Sequence, residues 1–179
     1  MLKKIVVLVI CVLFVLATTI AMQPAEFRIA RSITVSAPPA VLFAQVNDLH
    51  AFQVWNPYAK KDPAMKQTYE GPPAGVGAAY AWAGNQEVGT GRMTIVESRA
   101  NELVRMKLEF LAPFRATNGA EFTFEPAGDG TVVTWSMSGT NDLMGKAISL
   151  VMDMDKMVGG DFEKGLADLK TLAESRAAR

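Results

Sequence analysis

Apolar and polar positions change their spacing twice along this chain, and the changes mark out its parts. From Ile5 to Met22 there is no charge at all, a run of about 18 residues that is just long enough to cross the hydrocarbon core of a bilayer as a helix. The middle of the chain is dominated by alternation at period two, the mark of half-buried strands. From Asn141 onward the spacing becomes helical, with Leu143, Ala147, Leu150, Met154 and Met157 on one face. Gly159-Gly160 interrupts that face, predicting a kink or break with Asp161 as N-cap of the last segment, and Phe162, Leu166, Leu169 and Leu172 resume it.

Within the middle stretch, "FRIARSITVSAPP" sets Ile29, Arg31, Ile33 and Val35 against polar neighbours and reads as a strand stopped by Pro38-Pro39. Proline suits a first helical turn, and "PPAVLFAQVND" places Val41, Leu42 and Val46 at helical spacing. A second short helix, "LHAFQVW", ends near Asn56-Pro57. "AYAWAGN" is a strand that turns at Gly84-Asn85 into "NQEVGTGRMTIVE". "ELVRMKLEF" alternates Arg105, Lys107 and Glu109 with Met106, Leu108 and Phe110. "AEFTFEP" and "TVVTWSMSG" form a hairpin through Gly128-Asp129-Gly130. An antiparallel sheet with one apolar face needs a cover, and the C-terminal helix is the only element long enough to supply it. The expected fold class is α+β: a curved antiparallel sheet with two short helices and a long C-terminal helix. Residues 1–22 form an anchor and residues 23–179 one domain.

Charge adds compartment. Lys3 and Lys4 precede the apolar run, which places the short N-terminal side in the cytoplasm and the domain outside it. The expectation is a single-pass inner-membrane anchor with a periplasmic domain. A cleaved signal peptide, with its weak small-x-small site at Thr19-Ile20-Ala21, is the alternative. Lys+Arg and Asp+Glu both number 18, and no stretch interleaves cations with aromatics, so nucleic acid is excluded as a partner. The one cysteine, Cys11, rules out an intramolecular disulfide and a thiolate zinc site. No cofactor or metal is implied.

The motifs with chemical potential reduce to plainer readings. Gly89 and Gly91 resemble a phosphate cradle, but position 94 is Thr and "RMTIVES" continues as strand, so a dinucleotide fingerprint fails. At period two Gly89, Gly91, Met93 and Ile95 share a sheet face, where two glycines permit curvature and leave space. Asp153, Asp155 and Asp161 in "DMDKMVGGD" lack the pattern of a calcium loop and read as solvated helix charges. The sole histidine, His50, has no nucleophile motif beside it. Arg92 and Arg105 fall on the polar face of their strands. Met144, Met152, Met154 and Met157 suit either plain core or an adaptable apolar wall.

The segments "RSITVSAPPAVLFAQVNDLHAFQVWNPY", "GVGAAYAWAGNQEVGTGRMTIVE", "ATNGAEFTFEP", "GTVVTWSMSG" and "MDMDKMVGGDFEKGLADLK" together resemble the polyketide cyclase/dehydrase and lipid-transport group of the START-like (SRPBCC) superfamily. The resemblance covers roughly Phe27 to Glu174. It implies a helix-grip fold, with a cavity between sheet and C-terminal helix for an apolar or amphipathic small molecule. It transfers no reaction, because the inward strand positions are almost entirely apolar and match no cyclase set.

The leading expectation is therefore an anchored, non-catalytic binder of a hydrophobic small molecule or lipid. Tyr80, Trp82, Gly89, Gly91, Met93, Ile95, Met106, Leu108, Phe122, Trp135, Met154 and Met157 are the candidate ligand-binding residues. An enzyme of cyclase, dehydratase or hydrolase type is the alternative, drawing on His50, Asp48, Glu70 or Glu87. A third possibility is an envelope interaction module docking through Trp55 and Tyr58.

Overall fold

The computed structural model describes residues 1–177. The uncharged run forms α1 (Leu2–Met22), the only described helix long and apolar enough to cross a membrane, and none of it is buried. β1 (Glu26–Val35) follows after three residues. α2 (Pro39–Asn47) opens on a proline, whose missing N–H costs nothing in a first turn. Asp48 ends it and caps α3 (Leu49–Trp55), its carboxylate accepting from the N–H groups of His50 at 2.8 Å and Ala51 at 3.3 Å. Asn56 repeats the device for α4 (Pro57–Lys61), accepting from the Tyr58 N–H at 3.1 Å.

Six further strands complete the sheet: β2 (Lys66–Glu70), β3 (Ala79–Ala83), β4 (Thr90–Arg99), β5 (Leu103–Ala112), β6 (Ala116–Ala127) and β7 (Gly130–Thr140). Their order is β1-β7-β6-β5-β4-β3-β2, with every neighbouring pair antiparallel. The register of β4 against β5 shifts at Thr90/Gly91 and again at Ile95/Glu97, irregularities of the kind that bend a strand. α5 (Leu143–Val151) and α6 (Met154–Ala177) close the chain, and α6 lies along the concave face against β1, α2, α3 and α4.

Two elements escape the sequence pattern. β2, "KQTYE", is an edge strand with a largely exposed, polar surface, so it carries no apolar alternation. α4 is a single capped turn, too short for a helical period.

The C-terminal helix is also divided differently from expectation. The break falls at Met152-Asp153, where Met152 is extended and the Asp153 carboxylate accepts from the Lys156 N–H at 2.9 Å. Gly159 and Gly160 lie inside α6. A side chain at Gly159 would overlap the Arg31 guanidinium, so this glycine exists to let an arginine pass. Arg31 projects from β1 and holds α6 through Asp155 at 2.9 Å and Glu163 at 2.7 Å. Asp161 is neither a cap nor a solvated charge: its side chain is 8% exposed and takes Lys61 of α4 at 2.7 Å.

Candidate functional site

Antiparallel partners point to the same face, so the register assembles the concave surface row by row. One row runs Tyr69, Tyr80, Met93, Leu108, Asn118 across β2 to β6. The next runs Ile95, Met106, Ala120, Met137, Ile29 across β4, β5, β6, β7 and β1. A third runs Val104, Phe122, Trp135, Arg31. Of the twelve residues singled out above, Tyr80, Trp82, Gly91, Met93, Ile95, Met106, Leu108, Phe122 and Trp135 share this face.

The other three come from outside the strands: Gly89 from a turn, and Met154 and Met157 from α6, of which only Met154 packs against the face. Gly89 precedes β4 and has φ +65°, a turn conformation, and a side chain there would strike the Ala112 carbonyl. It does not share a sheet face with Gly91, because the alternation starts only at Thr90. Met154 is half-buried at the start of α6, whereas Met157 is 45% exposed.

The two ends of the concave face are filled differently. Toward the β6–β7 turn, Trp135 lies between Phe122 (ring centroids 4.9 Å apart) and Phe162 of α6 (4.0 Å), nearly parallel to both. Phe52 and Trp55 of α3 meet this stack edge-on. Gly165 admits it, since a side chain there would press on Trp135 and Pro57. Trp55 is therefore fully inside, its Nε1 donating to the Gln45 carbonyl at 3.1 Å, and it forms no docking surface.

Toward α1 the face is looser, and Leu108, Phe110, Asn118 and Met154 are only half-buried. The space spared at Gly91 is taken by the Trp82 indole, which overlies it and donates to the Val88 carbonyl at 3.1 Å. Tyr80 stacks on Trp82, and Tyr69 and His50 extend that ladder to the sheet edge. His50 and Tyr69 border a hollow of about 260 Å³ at this edge, and a wider trough of about 770 Å³ lies on the outer face of the sheet.

The interior is less apolar than the strand pattern implied. The Tyr80 hydroxyl meets Met65 Sδ at 3.9 Å, and burial pushes it well above the ordinary tyrosine range, Tyr69 adding to the shift and Gln53 opposing it. Gln53 Oε1 accepts from Asn56 at 3.1 Å, and Trp135 Nε1 finds no hydrogen-bond partner among the described residues. Sequence reasoning missed Gln53 and Asn118. Leu49, Phe52 and Gln53 stand at i, i+3 and i+4 on one helix face, and Asn118, Ala120 and Phe122 alternate on one strand face, so both were within reach of the pattern.

Of the four ionisable groups considered for catalysis, His50 and Glu70 line the same edge hollow, Asp48 acts on Tyr69 beside them, and Glu87 lies apart; each is already engaged. Asp48 caps α3, His50 stacks on Tyr69 at 3.7 Å, Glu70 pairs with Arg92 at 2.9 Å, and Glu87 pairs with Lys61 at 3.3 Å. A separate charged cluster joins α4 to α6. There the Tyr58 hydroxyl is pushed upward by burial and by the charge of Asp161. Arg105 stays on the outer face between Glu97 and Glu121.

A curved antiparallel sheet gripped by a long C-terminal helix defines a START-like, helix-grip protein. The chain belongs to the polyketide cyclase / dehydrase and lipid transport family, whose model matches residues 26–174. Solved structures share the fold at low identity. CV1439 from Chromobacterium violaceum is 17% identical with a TM-score of 0.58, over 84% of this chain and 99% of its own. The di-domain ARO/CYC StfQ of the steffimycin biosynthetic pathway is 12% identical with a TM-score of 0.64; it matches 87% of this chain, which spans 53% of its length. The Aha1 dimer from Colwellia psychrerythraea is 14% identical with a TM-score of 0.59, over 83% and 96% of the two chains. No curated protein matches the sequence.

Proposed function

We propose that this protein binds a hydrophobic small molecule or lipid on its concave face, without turning it over, while α1 anchors it in the inner membrane with the domain on the periplasmic side. The observation that carries this reading is the difference between the two ends of the face. One end is sealed by stacked aromatics, and the other leaves Leu108, Phe110, Asn118 and Met154 half-buried. An apolar chain lying over these residues would gain about 0.8 kcal/mol for each methylene it buries. Family membership supports the ligand class. Lys3 and Lys4 before α1 support the orientation.

Native mass spectrometry of the detergent-extracted full chain tests the proposal, together with titration of a fluorescent fatty acid. A co-purifying lipid that a Phe110→Asp exchange removes is the expected result. A bare protein that takes up no fatty acid would sink it.

A further inference from the structure

α5 is a helix with nothing of the domain over it. Its sequence, "LMGKAISLV", carries one charge, Lys146, and none of its residues is buried. Leu143, Met144, Leu150 and Val151 are all exposed, Val151 to 83%. Leu111, next to last in β5, and Phe114, on the turn from β5 to β6, are exposed as well. These six residues belong to one end of the molecule. Glu26, which opens β1, pairs with Thr140, which closes β7, so α5 departs from the end at which α1 enters. Ser138 pairs with Gly119, so the start of β6, and the β5–β6 turn beyond it, project from that same end. At the opposite end the β4–β5 and β6–β7 turns are polar, with Asn101 and Glu102 on one and Asp129 on the other. The β2–β3 loop at that end exposes Val76 alone among large apolar residues, and the β3–β4 turn, with Glu87, is the polar one at the α1 end.

The tether to α1 fixes where this end can be. Gln23, Pro24 and Ala25 alone separate α1 from β1, a reach of about 10 Å. Lys146 Nζ donates to the Ala21 carbonyl at 3.3 Å, and the Asn141 N–H donates to the Ala25 carbonyl at 2.7 Å. α5 therefore packs on the end of α1, and its apolar surface continues the bare apolar surface of that helix.

We infer that α5 and the β5–β6 turn lie in the interface of the bilayer that α1 crosses, embedding Met144, Leu150, Val151 and Phe114 at the level of the headgroups and upper acyl chains. The half-buried end of the concave face then opens toward the leaflet, so the ligand class narrows to a lipid drawn from that leaflet. The inference rests on the anchoring role proposed for α1.

Spin labels on the full chain in phosphatidylcholine/phosphatidylglycerol nanodiscs test it. In a Cys11→Ser background, single cysteines replace Leu13, Met144, Leu150, Phe114 or Asp129 in turn. Collision with lipid-soluble oxygen is compared with collision with a water-soluble nickel complex. Labels at Leu13, Met144, Leu150 and Phe114 should favour oxygen, with the last three shallower than Leu13, and the Asp129 label should favour nickel. If Leu13 favours oxygen while Met144, Leu150 and Phe114 behave like Asp129, the interfacial seat is overturned and the anchor stands. If Leu13 itself favours nickel, anchor and seat fall together. The replaced residues other than Leu13 and Cys11 are exposed side chains of the domain, and circular dichroism of each labelled chain confirms that the fold persists.

Discussion

The two ends of the sheet are built from the same alternation, yet one is closed and the other is open. Around Trp135 every neighbour across the register is matched by a helix residue, from Phe52 and Trp55 on α3 to Phe162 on α6. Phe110 at the other end meets only the edge of Trp82 among the aromatic rings and stays half-buried, while α5 packs on α1. Apolar patterning alone thus says that a face is buried, and not what buries it. A packed core and a ligand surface carry the same signature in the chain.

The comparison predicts unequal costs. Trp135→Ala should lower the unfolding free energy by ~3–5 kcal/mol, as for a large aromatic removed from a close-packed core. Phe110→Ala at the open end should cost ~1–2 kcal/mol, because water already reaches that ring. Urea denaturation of both variants is the check, and equal costs would break the distinction between the ends.

Charge pairs divide in the same way. Lys61→Met leaves the Asp161 carboxylate, whose side chain is 8% exposed, with only Lys164 at 3.9 Å, and should cost ~2 kcal/mol, less than a fully buried pair because Lys61 keeps some water contact and Lys164 remains. Lys107→Met, whose partner Glu109 lies 2.6 Å away on the outer face, should change stability by less than ~1 kcal/mol. Gly91→Ala probes the glycine directly. It should displace the Trp82 indole and cost ~1–2 kcal/mol, seen as a shift in tryptophan emission and a lower urea midpoint.

The smallest expected effect is an acid one. The Arg31 guanidinium holds the Asp155 carboxyl below its ordinary 3.8, and the Ser36 N–H, aided by Lys170, holds Glu174 below 4.5. Both favour the folded state fully above those ordinary values, where the unfolded chain is also ionised. The contribution is lost as pH falls through the lower folded values. Stability should therefore decline gently in acid, and Arg31→Met should flatten the part due to Asp155 in a urea series from neutral pH to pH ~3.

Much of the fold was legible because it follows from period. The strands from β3 to β7 announce themselves by alternation, and the Pro38-Pro39 stop and the Gly128–Gly130 turn fix where elements end. The break at Met152-Asp153 was not legible, since Gly159-Gly160 is the stronger breaker and only the passage of Arg31 explains why a helix continues through it. The chain places Gly91 on the inward face of its strand, but does not say that the Trp82 indole fills the space it spares. Asp161 looked like its neighbours Asp153 and Asp155 until α4 brought Lys61 against it.

By itself the sequence determined which residues share a face, which run is apolar enough for a bilayer, and which family the chain resembles. These depend on local geometry: 3.6 residues per helical turn, two per strand repeat, and the length of a helix. Only the tertiary structure decided which part of the apolar face is sealed and which is left half-covered, because that depends on elements distant in sequence meeting or failing to meet. Phe162 reaches Trp135 across a gap in sequence that no periodicity measures, and α5, with the same apolar content as a core helix, goes to α1 instead.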